Sequence, residues 1–310
     1  MLRVKVLGSA AGGGVPQWNC NFQYSRRARA GDVDVSARFQ SSIAASAGAG
    51  WVVFNASPDI RAQMAATPEL QPADDADLRS TPISAVVLTN ADVDHIAGLL
   101  SLRERQRFNL YASGRVLNVL EQNPIFRVLD PAYVRRIELP VDREVEIEGP
   151  DGSTGLRVML YPVPGKVALF LETGDAGRDF NAADGDTVGV RIVATNGDGV
   201  MHYVPGCAAA SEAVRERVSG ADVLFFDGTV FADNEMAEAG VGDKTGQRMG
   251  HLAISGEEGS VAALKDVELG RRIYIHINNT NPILDARSDA RRFVEAAGWE
   301  VAFDGMEIRL

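Results

Sequence analysis

Short apolar runs recur along the whole chain, and turn-forming Gly, Pro, Asn, Asp and Ser residues bound most of them. Runs of this kind are typical of strands that are buried on one or both faces. We predict strands at residues 4–7, 41–46, 51–55, 85–88, 110–112, 156–162, 188–194, 202–204, 223–227, 272–276 and 300–303. The second and third of them are joined by Ala-Gly-Ala-Gly, which predicts a hairpin.

Segments with a helical spacing of apolar residues lie between these strands. They predict helices at residues 96–105, 115–121, 210–218, 256–264 and 285–297. A further helix is expected to start with Ser57 as its N-cap and Pro58 as its first residue. Residues 57–80 and 175–186 are the most polar insertions. The order of elements predicts one α/β domain over residues 1–310, a sandwich with helices on its outside.

Composition restricts the possible partners. The chain has 310 residues, of which 45% are hydrophobic, and its formal net charge is −11. An acidic surface argues against nucleic acid and anionic membranes as partners. No apolar run reaches the roughly 20 residues that a membrane span needs. The first residues look like a strand and not like a secretion signal, and there are only two cysteines, so we expect a cytoplasmic protein.

A dense group of polar residues follows the predicted strand 85–88. It comprises Asn90, Asp92, Asp94 and His95, all of which offer oxygen or nitrogen donors. Such donors converge at the mouth of a strand most often to bind a metal ion. The alternative is a polar turn that caps the next helix, with Asp94 as the N-cap.

The chain contains only four histidines, His95, His202, His251 and His276. A single histidine is more often a packed core or surface group than a ligand. His276, however, closes the predicted strand 272–276 and precedes the polar turn Ile-Asn-Asn-Thr-Asn-Pro. His95 and His276 therefore stand at strand ends beside acid or amide groups, and they are the strongest candidate ligands.

The segment Thr89-Asn90-Ala91-Asp92-Val93-Asp94-His95 resembles the His-x-His-x-Asp-His motif of the metallo-β-lactamase superfamily. Asp-Gly-Thr at 227–229, Gly-His at 250–251 and Tyr-Ile-His at 274–276 resemble its later landmarks. More narrowly, residues 12–20, 38–42, 55–59, 249–251 and 276–282 are similar to the B-protein family of pyrroloquinoline quinone (PQQ) biosynthesis. The resemblance covers essentially the whole chain and implies a metallo-β-lactamase-like αββα sandwich.

The chain departs from both patterns. The first two histidines of the superfamily motif are Asn90 and Asp92 here, and residues 160–166 lack a further histidine, so a dinuclear zinc hydrolase is not expected. Relatives in the narrower family often carry more cysteines after Cys20. One thiolate cannot form a cysteine-rich zinc site, so we expect no structural zinc at Cys20. Because the segment has one thiol and Arg26, Arg27 and Arg29 repel one another, residues 20–31 are expected to be mobile or differently folded compared with cysteine-rich relatives.

The resemblance leaves Asp94, His95 and His276 as ligands of one divalent metal, with Asp92 near. Two imidazoles and a carboxylate with open positions favour Fe(II), although zinc, copper and manganese also suit such a set. The narrower family implies that the tyrosine ring of a crosslinked Glu–Tyr precursor is hydroxylated. His251 is the candidate catalytic acid–base group, its alternative being a contact at a helix N-terminus.

Five further residues are candidates for binding substrate or supporting the ligands: Asn90, Arg38, Cys207, Asn278 and Asn279. The two asparagines of the last turn can bind substrate carboxylates or orient His276. Arg38 is either a carboxylate anchor or part of a surface salt bridge. Cys207 is either a thiol of the site or an inert buried group.

Two other functions stay open at this point. One is a soluble, transport-related carrier of the quinone or its precursor, and the other is a metal-dependent hydrolase. The expected partners are a small or peptide-derived Glu–Tyr precursor and other proteins of the pathway, and a homodimer also stays open.

Overall fold

The alternating strands and helices fold into two β-sheets that pack face to face. The computed structural model describes residues 1–174, 185–197 and 199–310. Its strands are β1 (Arg3–Gly8), β2 (Ser42–Ser46), β3 (Trp51–Phe54), β4 (Ile83–Val87), β5 (Phe108–Ala112), β6 (Val134–Glu138), β7 (Glu144–Gly149), β8 (Gly152–Pro162), β9 (Val188–Ala194), β10 (Val200–Val204), β11 (Ala221–Asp227), β12 (Leu269–Ile275), β13 (Trp299–Val301) and β14 (Glu307–Arg309). Within the described residues, the first sheet has the order β14-β1-β2-β3-β4-β5-β6 and the second β13-β12-β11-β10-β9-β8-β7.

Short helices connect the strands. The α-helices are α1 (Gln23–Arg29), α2 (Ile60–Ala66), α3 (Val93–Ile96), α4 (Gly114–Gln122), α5 (Glu212–Val218), α6 (Glu235–Glu238), α7 (Gly246–Met249), α8 (Ser260–Ala263) and α9 (Asp289–Ala296). Five 3₁₀ turns are found in the same described ranges, at Pro68–Leu70, Ala97–Leu102, Pro124–Val128, Leu169–Leu171 and Pro282–Leu284. No helix in these ranges is long and apolar enough to cross a lipid bilayer.

Apolar side chains fill the space between the sheets and the space under the helices. Phe54 of the first sheet meets Tyr203 of the second in an edge-on contact between the sheets. Ile60 of α2 belongs to the core on the outer face of the first sheet, and Val294 of α9 to the core on the outer face of the second. The four layers are therefore helix, sheet, sheet and helix, which confirms the predicted αββα sandwich.

Parallel pairing brings several strand ends to one edge of the sandwich. Strands β3 to β6 are parallel in the first sheet, and β10 to β13 are parallel in the second. In the second sheet Asp227 pairs with Ile275, so Asp227 and the following His276 emerge together. The main-chain N–H of Val188 donates to the carbonyl of Thr89 and joins the two sheets at this edge. The candidate ligands lie at this edge.

The predicted strands are all present with small shifts at their ends, and three strands escaped prediction: β6, β7 and β14. All three are edge strands. Sequences such as Val-Arg-Arg-Ile-Glu carry charged side chains because charges on an edge protect its unpaired backbone groups. Their apolar pattern is therefore too weak to indicate a strand.

Two helix starts differ from the prediction. Helix α2 begins at Ile60, because the Ser57 hydroxyl accepts the N–H of Asp59 and forms a turn ahead of the helix. The predicted helix 96–105 is a short α3 followed by a 3₁₀ turn. Gly98 in that turn packs tightly on the preceding loop: an added Cβ would lie 2.1 Å from the carbonyl oxygen of Ser57.

The segment after Cys20 forms helix α1, in which Arg27 and Arg29 have partners that offset the repulsion between the arginines. Arg27 pairs with Asp32 at 2.7 Å and with Asp285 at 2.5 Å. Arg29 donates to the carbonyl of Cys20. Opposite charges and main-chain acceptors therefore offset the repulsion. Of the second polar insertion, residues 175–184 lie outside the described residues.

Candidate metal centre

The loop between β4 and α3 carries four of the candidate residues. Helix α3 has Asp92 as its N-cap, so the alternative of Asp94 as N-cap is wrong by two positions. The side-chain oxygen of Asn90 accepts the N–H of Asp92 at 2.9 Å and lies 2.8 Å from Nδ1 of His95. Because an amide oxygen only accepts, Nδ1 of His95 carries the proton. Its Nε2 is therefore left with a lone pair.

The Nε2 atom of His95 is buried and has no hydrogen-bond partner in the described part of the chain. It lies 3.9 Å from Oδ2 of Asp94, which in turn lies 3.0 Å from Nε2 of His276. The ligand atoms of these three residues all lie within 4.8 Å of one another. A buried lone pair without a donor costs free energy unless a cation or donor meets it, so this trio fits a metal ion.

His276 is held rigidly at the end of β12. Its φ is 61°, a left-handed conformation that is rare for residues other than glycine. The hydroxyl of Thr229 lies 2.8 Å from Nδ1 of His276 and also 2.9 Å from its carbonyl oxygen. Burial opposes the charged imidazole, but hydrogen bonding to Asp94 raises the pKa of His276 overall.

The two aspartates of the loop have different environments. Burial raises the pKa of Asp92, and the charge of Asp94 raises it further. One oxygen of Asp92 accepts the N–H of Leu169 at 3.1 Å. Burial also acts to raise the pKa of Asp94, but His95 and His276 lower it well below its ordinary value. Asp94 is thus the stronger candidate ligand, and Asp92 stands beside it.

A second polar group adjoins the trio and shares His276 with it. Oδ2 of Asp227 lies 2.7 Å from Nδ1 of His251 and accepts the main-chain N–H of Cys207 at 2.8 Å. Its Oδ1 accepts the Thr229 hydroxyl at 2.6 Å. Hydrogen bonds therefore hold both oxygens of this fully buried carboxylate. The ring of His251 stacks on that of His276 with 5.2 Å between centroids.

These groups line a cavity of about 230 Å³. Asp92, Asp94, His95, His251 and His276 all border it. Asn90 and Asn278 border it as well, together with Lys166, Lys244, Thr229, Met249 and Leu169. The structure therefore brings together most of the residues that the sequence singled out, from segments as far apart as the loop after β4 and the end of β12.

Three of the predicted residues do not reach the cavity. Arg38 is buried elsewhere, where it donates to the Ser9 hydroxyl and to the carbonyl of Ala302, so it is neither a carboxylate anchor nor a surface salt bridge. Asn279 donates to the side chain of Gln17. The thiol of Cys207 donates to the carbonyl of Ala209, and burial raises its pKa to about 12. Contacts with distant segments fix the directions of Arg38 and Asn279, whereas Cys207 bonds a carbonyl only two positions along the chain.

His202 is a core histidine, which is the structural alternative given above for a single histidine. Its Nδ1 lies 2.9 Å from the hydroxyl of Tyr161, and burial lowers its pKa to about 3. Sequence reasoning in turn missed Asp227 and Thr229 as parts of the site. The resemblance had marked Asp-Gly-Thr as a landmark, and its position at the end of a predicted strand was the signal. Lys166 and Lys244, which also line the cavity, stand in no motif that would have indicated them.

Comparisons with known proteins point to one family. The model of the beta-lactamase superfamily domain matches residues 50–277. A coenzyme PQQ synthesis protein B of Methylobacterium nodulans is 53% identical over 306 residues, covering 98% of this chain and 99% of the relative. Another, of Xanthomonas euvesicatoria, is 49% identical over 310 residues and covers both chains fully, at 100%.

Solved structures agree with these relatives. The crystal structure of Zn(2+)-bound PqqB from Methylobacterium extorquens has a TM-score of 0.93 and 49% sequence identity, covering 99% of this chain and 100% of that one. A diphosphatase of the PhnP family has a TM-score of 0.68 at 19% identity, covering 100% and 98% of the two chains. The second likeness shows the fold alone.

Proposed function

The chain belongs to the coenzyme PQQ synthesis protein B family of the metallo-β-lactamase superfamily, and from this premise we propose that it is an iron-dependent hydroxylase in PQQ biosynthesis. The proposed substrate is the crosslinked Glu–Tyr unit of the precursor, and the reaction adds oxygen atoms to its tyrosine ring. Asp94, His95 and His276 are the proposed ligands of one divalent metal, with Asp92 beside them.

The buried lone pair on Nε2 of His95 carries the proposal. It faces the same small volume as Asp94 and His276, and a mixed set of two imidazoles and a carboxylate suits a mononuclear ferrous ion. When bound, such an ion supplies the redox chemistry that activates dioxygen. Asn90 and Thr229 hold the two imidazoles in place, as outer-shell partners of metal ligands commonly do.

His251 is the proposed catalytic acid–base residue. Asp227 holds its Nδ1, so Nε2 is the ring atom left to exchange a proton with a ligand in the cavity that His251 borders. The phenol of the substrate gives its proton to that Nε2, and this makes the ring richer in electrons. Each hydroxylation replaces a ring C–H bond by a C–O bond with one atom of dioxygen. The other atom is reduced to water by two protons and two electrons, and the electrons come from an added reductant such as ascorbate.

The hydrolase is the second candidate, and a specific observation favours it. The Asp227–His251 pair can also protonate a leaving group, as an acid in hydrolysis does. Zinc-based hydrolysis, however, relies on imidazole-rich coordination, and Asn90 and Asp92 stand where imidazoles are expected. The amide oxygen of Asn90 is moreover engaged by His95 and by the main chain. We therefore favour the hydroxylase.

Anaerobic loading with Fe(II), followed by oxygen, a reductant such as ascorbate and the free crosslinked Glu–Tyr amino acid, tests the proposal. We expect a product heavier by one or two oxygen atoms by mass spectrometry, and none with zinc-loaded protein or with His251→Ala. Cleavage of an ester or phosphodiester by zinc-loaded protein would support the hydrolase. Tight binding of the amino acid without turnover under all metal loadings would support a carrier and reject the hydroxylase.

A further inference from the structure

Two lysines border the cavity, and nothing in the proposed reaction uses them yet. The chain has only four lysines, at positions 5, 166, 244 and 265, among 31 basic residues. Lys166 and Lys244 both line the cavity, from the loop after β8 and the loop before α7. Half of the lysines of this acidic chain therefore border the space beside the metal ligands.

Lys166 is held in place by several contacts. Its Nζ lies 3.0 Å from Oε1 of Glu172 and donates to the carbonyl of Val167 at 3.2 Å. Its stem packs on Gly250, where an added Cβ would lie 3.0 Å from Cγ of the lysine. An ammonium has three protons, and the described residues provide acceptors for two. One proton is therefore without an acceptor among the described residues and can be donated to a ligand.

The two lysines differ in their charged neighbours. Glu172 is shared by Lys166 and Arg248, the second at 2.7 Å. Hydrogen bonding to Arg248 lowers the pKa of Glu172 to about 2, so this carboxylate is ionised at neutral pH. Lys244 has no ion pair with any residue in the described ranges. Within the residues that the structure describes, the charge of Lys244 is therefore available to an anionic ligand in the cavity.

We propose that Lys166 and Lys244 form a carboxylate-binding subsite of the cavity. The substrate is then a phenol or quinone that carries carboxylates, with Lys166 as the fixed anchor and Lys244 as the adjustable one. The inference rests on the proposed function, since the crosslinked Glu–Tyr unit brings such carboxylates. It also assigns to these lysines the role that the sequence had suggested for Arg38, which the structure turns away from the cavity.

Binding to zinc-loaded protein tests the subsite without turnover. The probe is PQQ, a tricarboxylate, compared with its trimethyl ester, which keeps the quinone and lacks the negative charges. We expect Lys244→Gln to weaken PQQ binding by about tenfold, as loss of a charge-assisted hydrogen bond does, and to leave ester binding unchanged. Lys265→Gln, at an exposed position outside the cavity lining, is the matched control.

Lys166→Gln is expected to act in the same direction, and metal analysis of each variant shows that the ligands are still occupied. Equal affinities of wild type and Lys244→Gln for PQQ would overturn the subsite, and so would an equal loss for PQQ and its ester. This result is independent of the oxygen assay. If binding depends on the lysines but no hydroxylation occurs, the hydroxylase is rejected and the subsite is kept. If Lys244→Gln hydroxylates the substrate with an unchanged KM, the subsite is rejected and the hydroxylase is kept.

Discussion

The amide oxygen of Asn90 lies 2.8 Å from Nδ1 of His95. In the superfamily motif that this segment resembles, a histidine takes the position of Asn90. Here the residue at that position fixes the tautomer of its neighbour and leaves Nε2 of His95 as a buried lone pair. The replacement thus removes one imidazole and orients another, which is why we propose a single metal ion at Asp94, His95 and His276.

Asn90→Ala is expected to weaken metal binding by about 10–100-fold, which is typical when an outer-shell partner of a ligating histidine is lost. Competition with a chromogenic chelator measures this directly. The control is Asn234→Ala, which removes an exposed asparagine that bonds only Glu238 through its side chain. Wild-type affinity in Asn90→Ala would show that the hydrogen bond does not position His95.

His276→Ala is expected to abolish stoichiometric metal binding. His276 belongs both to the trio with Asp94 and His95 and to the group with Asp227 and His251, so neither group keeps three ligands without it. Metal content after dialysis, by elemental analysis, measures the effect. The buried His202 lies outside the cavity, and His202→Gln should keep its metal. If His276→Ala retained one metal per chain, the assignment of this centre would be wrong.

The Asn90→His, Asp92→His double variant is expected to gain zinc-dependent hydrolysis of a phosphodiester such as bis(p-nitrophenyl) phosphate. The added imidazoles create the coordination that generates zinc-bound hydroxide, and removing the carboxylate of Asp92 makes a bound water more acidic. Initial rates of zinc-loaded wild type and variant are compared. Equal rates in the two proteins, together with no oxygen consumption by iron-loaded wild type, would contradict the oxygenase proposal.

Cys207 is expected to be chemically inert in the native protein. Burial raises the pKa of its thiol to about 12, so almost no thiolate exists near neutral pH. Iodoacetamide at about pH 8 should leave the Cys207 peptide unlabelled until the chain is denatured. Cys207→Ala keeps the main-chain N–H that binds Asp227 and should retain its metal. Rapid labelling of the native protein would show that the thiol of Cys207 is accessible and reactive, and would contradict this prediction.

Glu235 is expected to make the stability depend on pH. Burial raises its pKa to about 7 in the folded state, although Thr280 and the N–H of Phe231 donate to it. Because the folded pKa lies above the unfolded value, the free energy of unfolding should fall as pH rises from about 4.5 to about 7, by at most about 3 kcal/mol.

Urea unfolding of wild type and Glu235→Gln across this pH range tests the prediction. The variant is expected to lose this dependence, so its free energy of unfolding rises relative to wild type as pH increases. Glu216→Gln, an exposed change on α5, is the control and should follow wild type. Parallel curves for wild type and Glu235→Gln would mean that Glu235 ionises normally in the folded protein.

The local sequence was enough for the sandwich and for the proposed ligands. Buried strands show as apolar runs, and the carboxyl ends of parallel strands gather at one edge. His276 directly follows β12 and Asp94 lies in the helix after β4, so the two meet at this edge although they lie 182 positions apart. Edge strands such as β6 were not predicted, because their charged side chains interrupt the apolar pattern of a strand.

Only the tertiary structure decided which loop side chains face the cavity. Arg38 and Asn279 looked like substrate groups, but Ser9, Ala302 and Gln17 hold them elsewhere. Nothing in the neighbouring sequence indicates that Lys166 and Lys244 belong to the site. They line it because the fold brings two separate loops to one cavity. In a strand, successive side chains point to opposite faces of the sheet, so the sequence indicates their direction. In a loop, contacts with distant segments set the direction of each side chain. The sequence of the loop alone does not contain those contacts.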